Sequence, residues 1–184
     1  MTLEIVRHGP LEDLLLPLSP AFTVQVAPFA QRYILRGEAG QLAPLAGAFG
    51  VAPPAAPLTS AQANGRSALW LGPDEWLLIA EAQAEGIEGT IEAALDGVFH
   101  SLVDISHRQG AVSLEGPRAR EALNFGVALD LDLAAFPIGM AAKTLFVKAE
   151  ITLWRQGEQL WRLEFARSFA RYLRDLLLEA SREF

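Results

Sequence analysis

The sequence contains no cysteine, which excludes disulfides, thiolate nucleophiles and cysteine-ligated zinc or iron–sulfur centres. That usage fits a reducing compartment, and the expected location is the cytoplasm. Positive charge is also scarce: 15 Lys and Arg stand against 22 Asp and Glu. Nucleic acid and anionic lipid both need a positive surface, so neither is expected as a partner. Long apolar runs are missing too. Each is cut by a charge, Pro or Gly well before the roughly 18 residues that mark a candidate membrane-spanning helix. The start, MTLEIVRHGPLEDLLLPL, lacks the basic, apolar and small-residue order of a secretory leader. No G-x-G-x-x-G or GK[ST] string occurs, so no recognisable loop for a flavin, dinucleotide or nucleotide phosphate is expected. His8, His100 and His107 are the only histidines. None has a second histidine at helical spacing, so no metal site is expected.

What is present is apolar. Hydrophobic residues make up 51% of 184, enough for a sizeable core in one domain or two tightly fused halves. Residues 1–22 carry Pro10, Pro17 and Pro20, which break any long helix and suggest an extended arm. From Thr23 on, TVQVAP and QRYILR alternate as strands, the second presenting Tyr33 and Leu35 on one face. Leu42, Leu45, Ala46 and Phe49 form a helical stripe with Gly50 placed for a left-handed cap. VAPPAAPL is a Pro-rich linker, and Asn64-Gly65 signals a turn. ALWLG and EWLLIA then read as a hairpin closed by Gly72, Pro73 and Asp74. Ile87, Ile91, Ala94 and Leu95 predict a second helix, ended at Asp96 and Gly97.

The remainder repeats that order. VFHSLVDIS and GAVSLEG read as strands, followed by a short helix from Pro117 through Leu123 that Gly126 ends. KTLFVK, EITLWRQ and QLWRLEF follow as strands. Phe169, Tyr172, Leu173, Leu176, Leu177 and Ala180 then make one face of a closing helix. The chain is thus expected to be α+β, an arm at 1–22 and a folded region at 23–184 in two intertwined halves, about 23–97 and 98–184, as two pseudo-duplicated β-α-β-α units. Hairpin connections exclude a doubly wound parallel sheet.

The densest polar group is Asp104, Ser106, His107 and Arg108. An acid, a hydroxyl and an imidazole resemble a proton relay, but adjacent strand residues point to opposite faces. Backbone-capping roles for Asp104 and Ser106 are therefore expected. Asp130 and Asp132 share one face of an extended segment and are expected at a solvated loop edge. Arg167, Arg171 and Arg174 line one side of the last helix and are expected on its wet face. No catalytic, cofactor-binding or metal-binding residue is assigned.

Four blocks, LWLGPDEWLL, VDISHRQGAVSLEGPRAREAL, LDLDLAAFPIG and LEFARSFARYLRDLL, resemble the gamma subunit of heterotetrameric sarcosine oxidase in content, order and spacing, from about Arg32 to Tyr172. That subunit is similar in turn to the folate-binding domain of the glycine-cleavage T-protein, an aminomethyltransferase-like fold. VDISH followed by GPRAR looks like a segment of that family. The resemblance implies a structural, non-catalytic subunit of a complex that demethylates sarcosine to glycine and passes the one-carbon unit to tetrahydrofolate. It implies alpha, beta and delta partners, chiefly alpha, which carry FAD, FMN, NAD and zinc, with no cofactor on this chain. The T-protein's catalytic aspartate follows a Gly-Gly pair, whereas KTLFVKAEITLW has neither and offers only Glu150. The alternatives are a free-standing folate-binding or aminomethyltransferase-like protein, and a homo-oligomeric binding module.

Overall fold

The computed structural model describes Leu11, residues 21–81 and residues 85–184. Its first half runs β1 (Thr23–Val26), β2 (Gln31–Gly37), α1 (Leu45–Phe49), β3 (Ser60–Ala63), β4 (Arg66–Gly72), β5 (Glu75–Ala80) and α2 (Ile87–Ala94). The second runs β6 (His100–Asp104), β7 (Gln109–Glu115), α3 (Ala119–Asn124), β8 (Ala141–Phe146), β9 (Ala149–Arg155), β10 (Leu160–Ala166) and α4 (Ala170–Ser181). Both halves are two strands, a helix, three strands and a helix.

The strands form two antiparallel five-stranded sheets, ordered β3-β4-β5-β2-β6 and β8-β9-β10-β7-β1. The two orders are equivalent if each half donates its first strand to the other half's sheet. Thr23 pairs with Glu115 across β1 and β7, and Gly37 pairs with His100 across β2 and β6. This exchange makes each sheet depend on both halves of the chain.

Alternation decides which face each strand buries. Tyr33, Leu35, Ala68, Trp76 and Leu78 meet α1 and α2 in one core. Val112, Leu114, Leu153, Trp161, Leu163 and Phe165 meet α3 and α4 in another. A smaller set, including Leu69, Leu77, Ile79, Ile105 and Trp154, lies in a third cluster that draws on strands of both sheets. Trp76 and Trp161 each sit second in the equivalent strands β5 and β10, and both are fully buried.

The closing helix buries the expected stripe, with Leu173 and Leu177 inaccessible; each contributes about 1.5–3 kcal/mol of hydrophobic stabilisation. Gly50 adopts φ +82 as the left-handed cap of α1. That helix starts at Leu45 rather than Leu42 because Pro44 stands before it and disfavours a helical conformation at the preceding residue. Leu42 is nevertheless buried, reached through a 3-10 turn at Ala39–Gln41. Gly126 lies past the end of α3 and serves close packing instead of a left-handed cap. A Cβ there would sit 2.9 Å from Val147 Cγ2 and 3.1 Å from the Phe146 ring. Most of the arm expected at 1–22 lies outside the described residues. Within it, Leu11 and Phe22 are buried in the α3–α4 core, where Phe22 meets the Phe184 ring edge-on.

Candidate functional site

The second sheet turns charge, not only apolar surface, toward the first. On β10, Trp161, Leu163 and Phe165 face the helices, leaving Arg162 and Glu164 on the opposite face. Both are almost completely buried, as is Arg32 of β2. Arg32 Nε donates to Glu164 Oε2 at 2.6 Å, Arg162 Nε donates to Glu164 Oε1 at 2.8 Å, and Arg162 Nη1 donates to Glu81 Oε1 at 2.6 Å. Two arginines and two glutamates therefore balance. Burial opposes the charge on Arg162, but Glu164 and Glu81 outweigh it and hold its pKa above the ordinary arginine value. Two donors in this layer, Arg162 Nη2 and Trp154 Nε1, are buried without an acceptor among the described residues.

A second charge cluster joins the sheets nearer the surface. Glu75 of β5 accepts from Lys143 Nζ of β8 at 2.8 Å and from Arg36 Nε of β2 at 2.8 Å. Burial raises the Glu75 pKa, yet the hydrogen bonds and charges of Lys143 and Arg36 prevail and hold it below the usual glutamate value. Its ionised form is thus favoured by folding. The resulting stabilisation is complete above the unfolded glutamate pKa of about 4.3 and disappears as pH falls through the lower folded value. Glu75→Gln should therefore be less stable than wild type at pH 7, and the gap should close on acidification toward pH 3. Urea midpoints across that range check this.

Between these clusters and the strand ends lies a cleft of about 490 Å³, with Ile34, Leu77 and Ile105 among its walls and Arg36, Lys143, Arg108 and Glu150 among its polar lining. Such a mixture suits small-molecule or side-chain binding. Three of its charges, Arg36, Glu75 and Lys143, are already matched to one another, however. Among the described residues, no group of three or more His, Asp or Glu is placed to hold a metal ion, and no helix is long and apolar enough to cross a membrane.

The polar residues singled out by sequence scatter. Asp104 Oδ1 accepts from the Ser106 N–H at 2.7 Å and from its hydroxyl, while Ser106 Oγ accepts from the Arg32 N–H at 2.9 Å. These bonds close the turn after β6. His107 lies apart on the surface, its ring 5.5 Å from that of Phe29. His100 places Nδ1 2.8 Å from Val98 O and Nε2 3.1 Å from Glu92. Asp130 and Asp132 cap a loop, the first accepting from the Asp132 N–H and the second from the Ala134 N–H. Asp132 also pairs with Arg120 at 3.0 Å. Arg167 and Arg171 are exposed, and Arg174 is partly buried beside Asp175.

The sequence reading missed Arg32, Glu81, Arg162 and Glu164. Their signal was faint: opposite charges at alternate positions of a strand whose other positions are large and apolar. It also missed Arg155. That guanidinium lies 4.6 Å above the Trp161 ring and donates to the carbonyls of Phe136 at 2.8 Å and Glu158 at 2.8 Å. It thereby holds the LDLDLAAFPIG segment against the sheet.

The folded chain resembles an aminomethyltransferase T of the glycine cleavage system from Bartonella henselae, with TM-score 0.67 and 16% identity over 88% of this chain and 46% of that one. The class of protein is therefore the aminomethyltransferase-like, folate-binding-domain α+β fold. Within it, the family model of the sarcosine oxidase gamma subunit matches residues 36–183. Curated gamma subunits from Corynebacterium sp. (strain U-96) and Arthrobacter sp. are both 34% identical, covering 89% and 98% of this chain and 81% and 87% of theirs. A chain in the heterotetrameric sarcosine oxidase of Corynebacterium sp. U-96, solved with pyrrole 2-carboxylate, superposes with TM-score 0.88 and 31% identity over 97% of this chain and 96% of its own. This chain belongs to the sarcosine oxidase gamma subunit family. The free-standing folate enzyme is not favoured by these likenesses.

Proposed function

We propose that the chain is a non-catalytic gamma subunit that completes a heterotetrameric sarcosine oxidase, the complex that demethylates sarcosine to glycine and passes the one-carbon unit to tetrahydrofolate. The observation that carries the reading is the nearly full-length superposition on a chain of such a heterotetramer. The matched charges of the inter-sheet layer support a scaffold role, since Glu75, Glu81 and Glu164 already serve as acceptors for cations of the same chain. The partners are the alpha, beta and delta subunits, chiefly alpha, and the flavins, NAD and zinc belong to them. The assembly works in the cytoplasm, and residues 23–184 form the folded region of this chain in two intertwined halves, about 23–97 and 98–184, with 1–22 as an arm from which Leu11 and Phe22 enter the α3–α4 core.

The test is to assay the purified chain and the assembled complex side by side for sarcosine-dependent peroxide formation, and to titrate the chain with tetrahydrofolate by calorimetry. The reading expects peroxide from the complex alone and no heat of folate binding to the chain. Turnover or folate binding by the isolated chain would overturn it.

A further inference from the structure

Among the described residues, strand β6 is an edge of the first sheet, bonded to β2 on one side only. The phase of its hydrogen bonds follows from two contacts. Ile105 N–H donates to Arg32 O at 2.8 Å, in register with the β2–β6 pairing, and Gly37 N–H turns away from β6 to Asp74 O at 3.1 Å. In an antiparallel ladder bonding residues alternate, so Ser101 and Val103 bond β2. The backbone N–H and C=O groups of His100, Leu102 and Asp104 then point outward from the sheet.

Exposed edges normally carry lysine, proline, a bulge or a covering loop, and β6, HSLVD, has none of the first three. The edge of the other sheet at β8 differs. Ala141 N–H donates to Leu58 O there, Val147 N–H to Gly126 O, and isolated bridges join Met140 to Thr59 and Phe146 to Val127. Beside β6 the opposite holds: Phe99, immediately before it, is 92% exposed, and Val103 is 50% exposed. These two side chains alternate with the outward amides, on the face that continues into the inter-sheet cleft through Ile34 and Ile105.

We infer that β6 is a docking edge for an extended segment of another subunit of the heterotetramer, which adds as a further strand and covers Phe99 and Val103 with apolar side chains. The backbone defines the occupant, because a row of outward amide and carbonyl groups is matched along its length by a second extended chain. An exposed aromatic at the start of that row is the kind of anchor that concentrates binding energy. The inference rests on the gamma-subunit reading and goes beyond it by naming the surface.

Hydrogen exchange followed by mass spectrometry, on the free chain and on the complete complex, tests it. The His100, Leu102 and Asp104 amides should exchange rapidly in the free chain and at least a hundredfold more slowly in the complex. Phe99→Ser, at a side chain with almost no contacts to lose, should leave the melting temperature of the free chain unchanged and weaken its capture by the other subunits at least tenfold. If the chain assembles but β6 exchanges as in the free chain, the docking edge is wrong and the subunit reading stands. If the free chain already protects β6 in a homodimer, the occupant is a second copy and the inference falls. If the other subunits do not take up the chain at all, both fail.

Discussion

Glu164→Gln lowers the thermal unfolding midpoint by about 10 °C. The carboxylate lies at the centre of an Arg32–Glu164–Arg162 triad in which all three residues are 2–4% exposed. Its loss leaves two guanidinium groups buried with only Glu81, itself half-exposed, to offset them. Removing one partner of a buried pair costs about 3–5 kcal/mol. In a chain of this size each kcal/mol moves the midpoint by roughly 2–4 °C. Replacing all three residues together by apolar ones of similar volume should be milder, because the desolvation of three ions is removed along with their attraction. Scanning calorimetry on the single and triple variants distinguishes these effects. A single variant that melts within about 2 °C of wild type would mean that the layer is hydrated and the triad largely screened.

Gly116→Ala costs about 3–5 kcal/mol. Gly116 adopts φ +143, and a Cβ there would stand 2.7 Å from both Ala21 O and Phe22 Cα. These are backbone atoms with little room to move, since Ala21 O accepts from the Arg118 N–H at 3.0 Å and Phe22 is buried. Conformational strain of about 1–3 kcal/mol adds to an overpacking penalty of similar size. Gly126→Ala should lose less, because its closest neighbour is a Val147 side chain that can rotate. Gly40→Ala meets nothing within 4 Å and should be nearly neutral. Urea unfolding of the three variants should rank them in that order. Equal losses at positions 116 and 40 would show that residues 21 and 22 do not hold the position described.

Local order was legible in the sequence wherever one interaction decided it. The hairpin of ALWLG and EWLLIA followed from two short apolar runs on either side of a Gly-Pro-Asp turn, and the closing helix from its apolar spacing. Strand β3, SAQA, was not legible, because small polar residues carry little strand propensity and it is held by pairing with β4. The exchange of β1 and β6 between sheets is a matter of partners distant in the chain, and local pattern is silent about those. The equivalence of Trp76 and Trp161, each second in its strand, emerged only once the strand bounds and sheet orders were in place.

The polar layer was hidden for a related reason. Alternation in QLWRLEF says that Arg162 and Glu164 share a face, but not that a second sheet covers it. Once Arg32 lies opposite, the charges become a cross-link between sheets. The surface reading worked better where the partner was local: Asp104 with Ser106, and Asp130 with Asp132, bond to backbone within two residues. The recognition of family blocks needed no such geometry, and the fold and family it implied agree with the superposed chains.

The central claim is that this chain acts as one subunit of a larger oxidase. The most direct measurement is native mass spectrometry of the assembly recovered through an affinity tag on the chain from its native host. The account predicts a flavin-containing complex with one copy of this chain and one of each of three other polypeptides. Recovery of the chain by itself, as a monomer or as a homo-oligomer free of flavin, would contradict it.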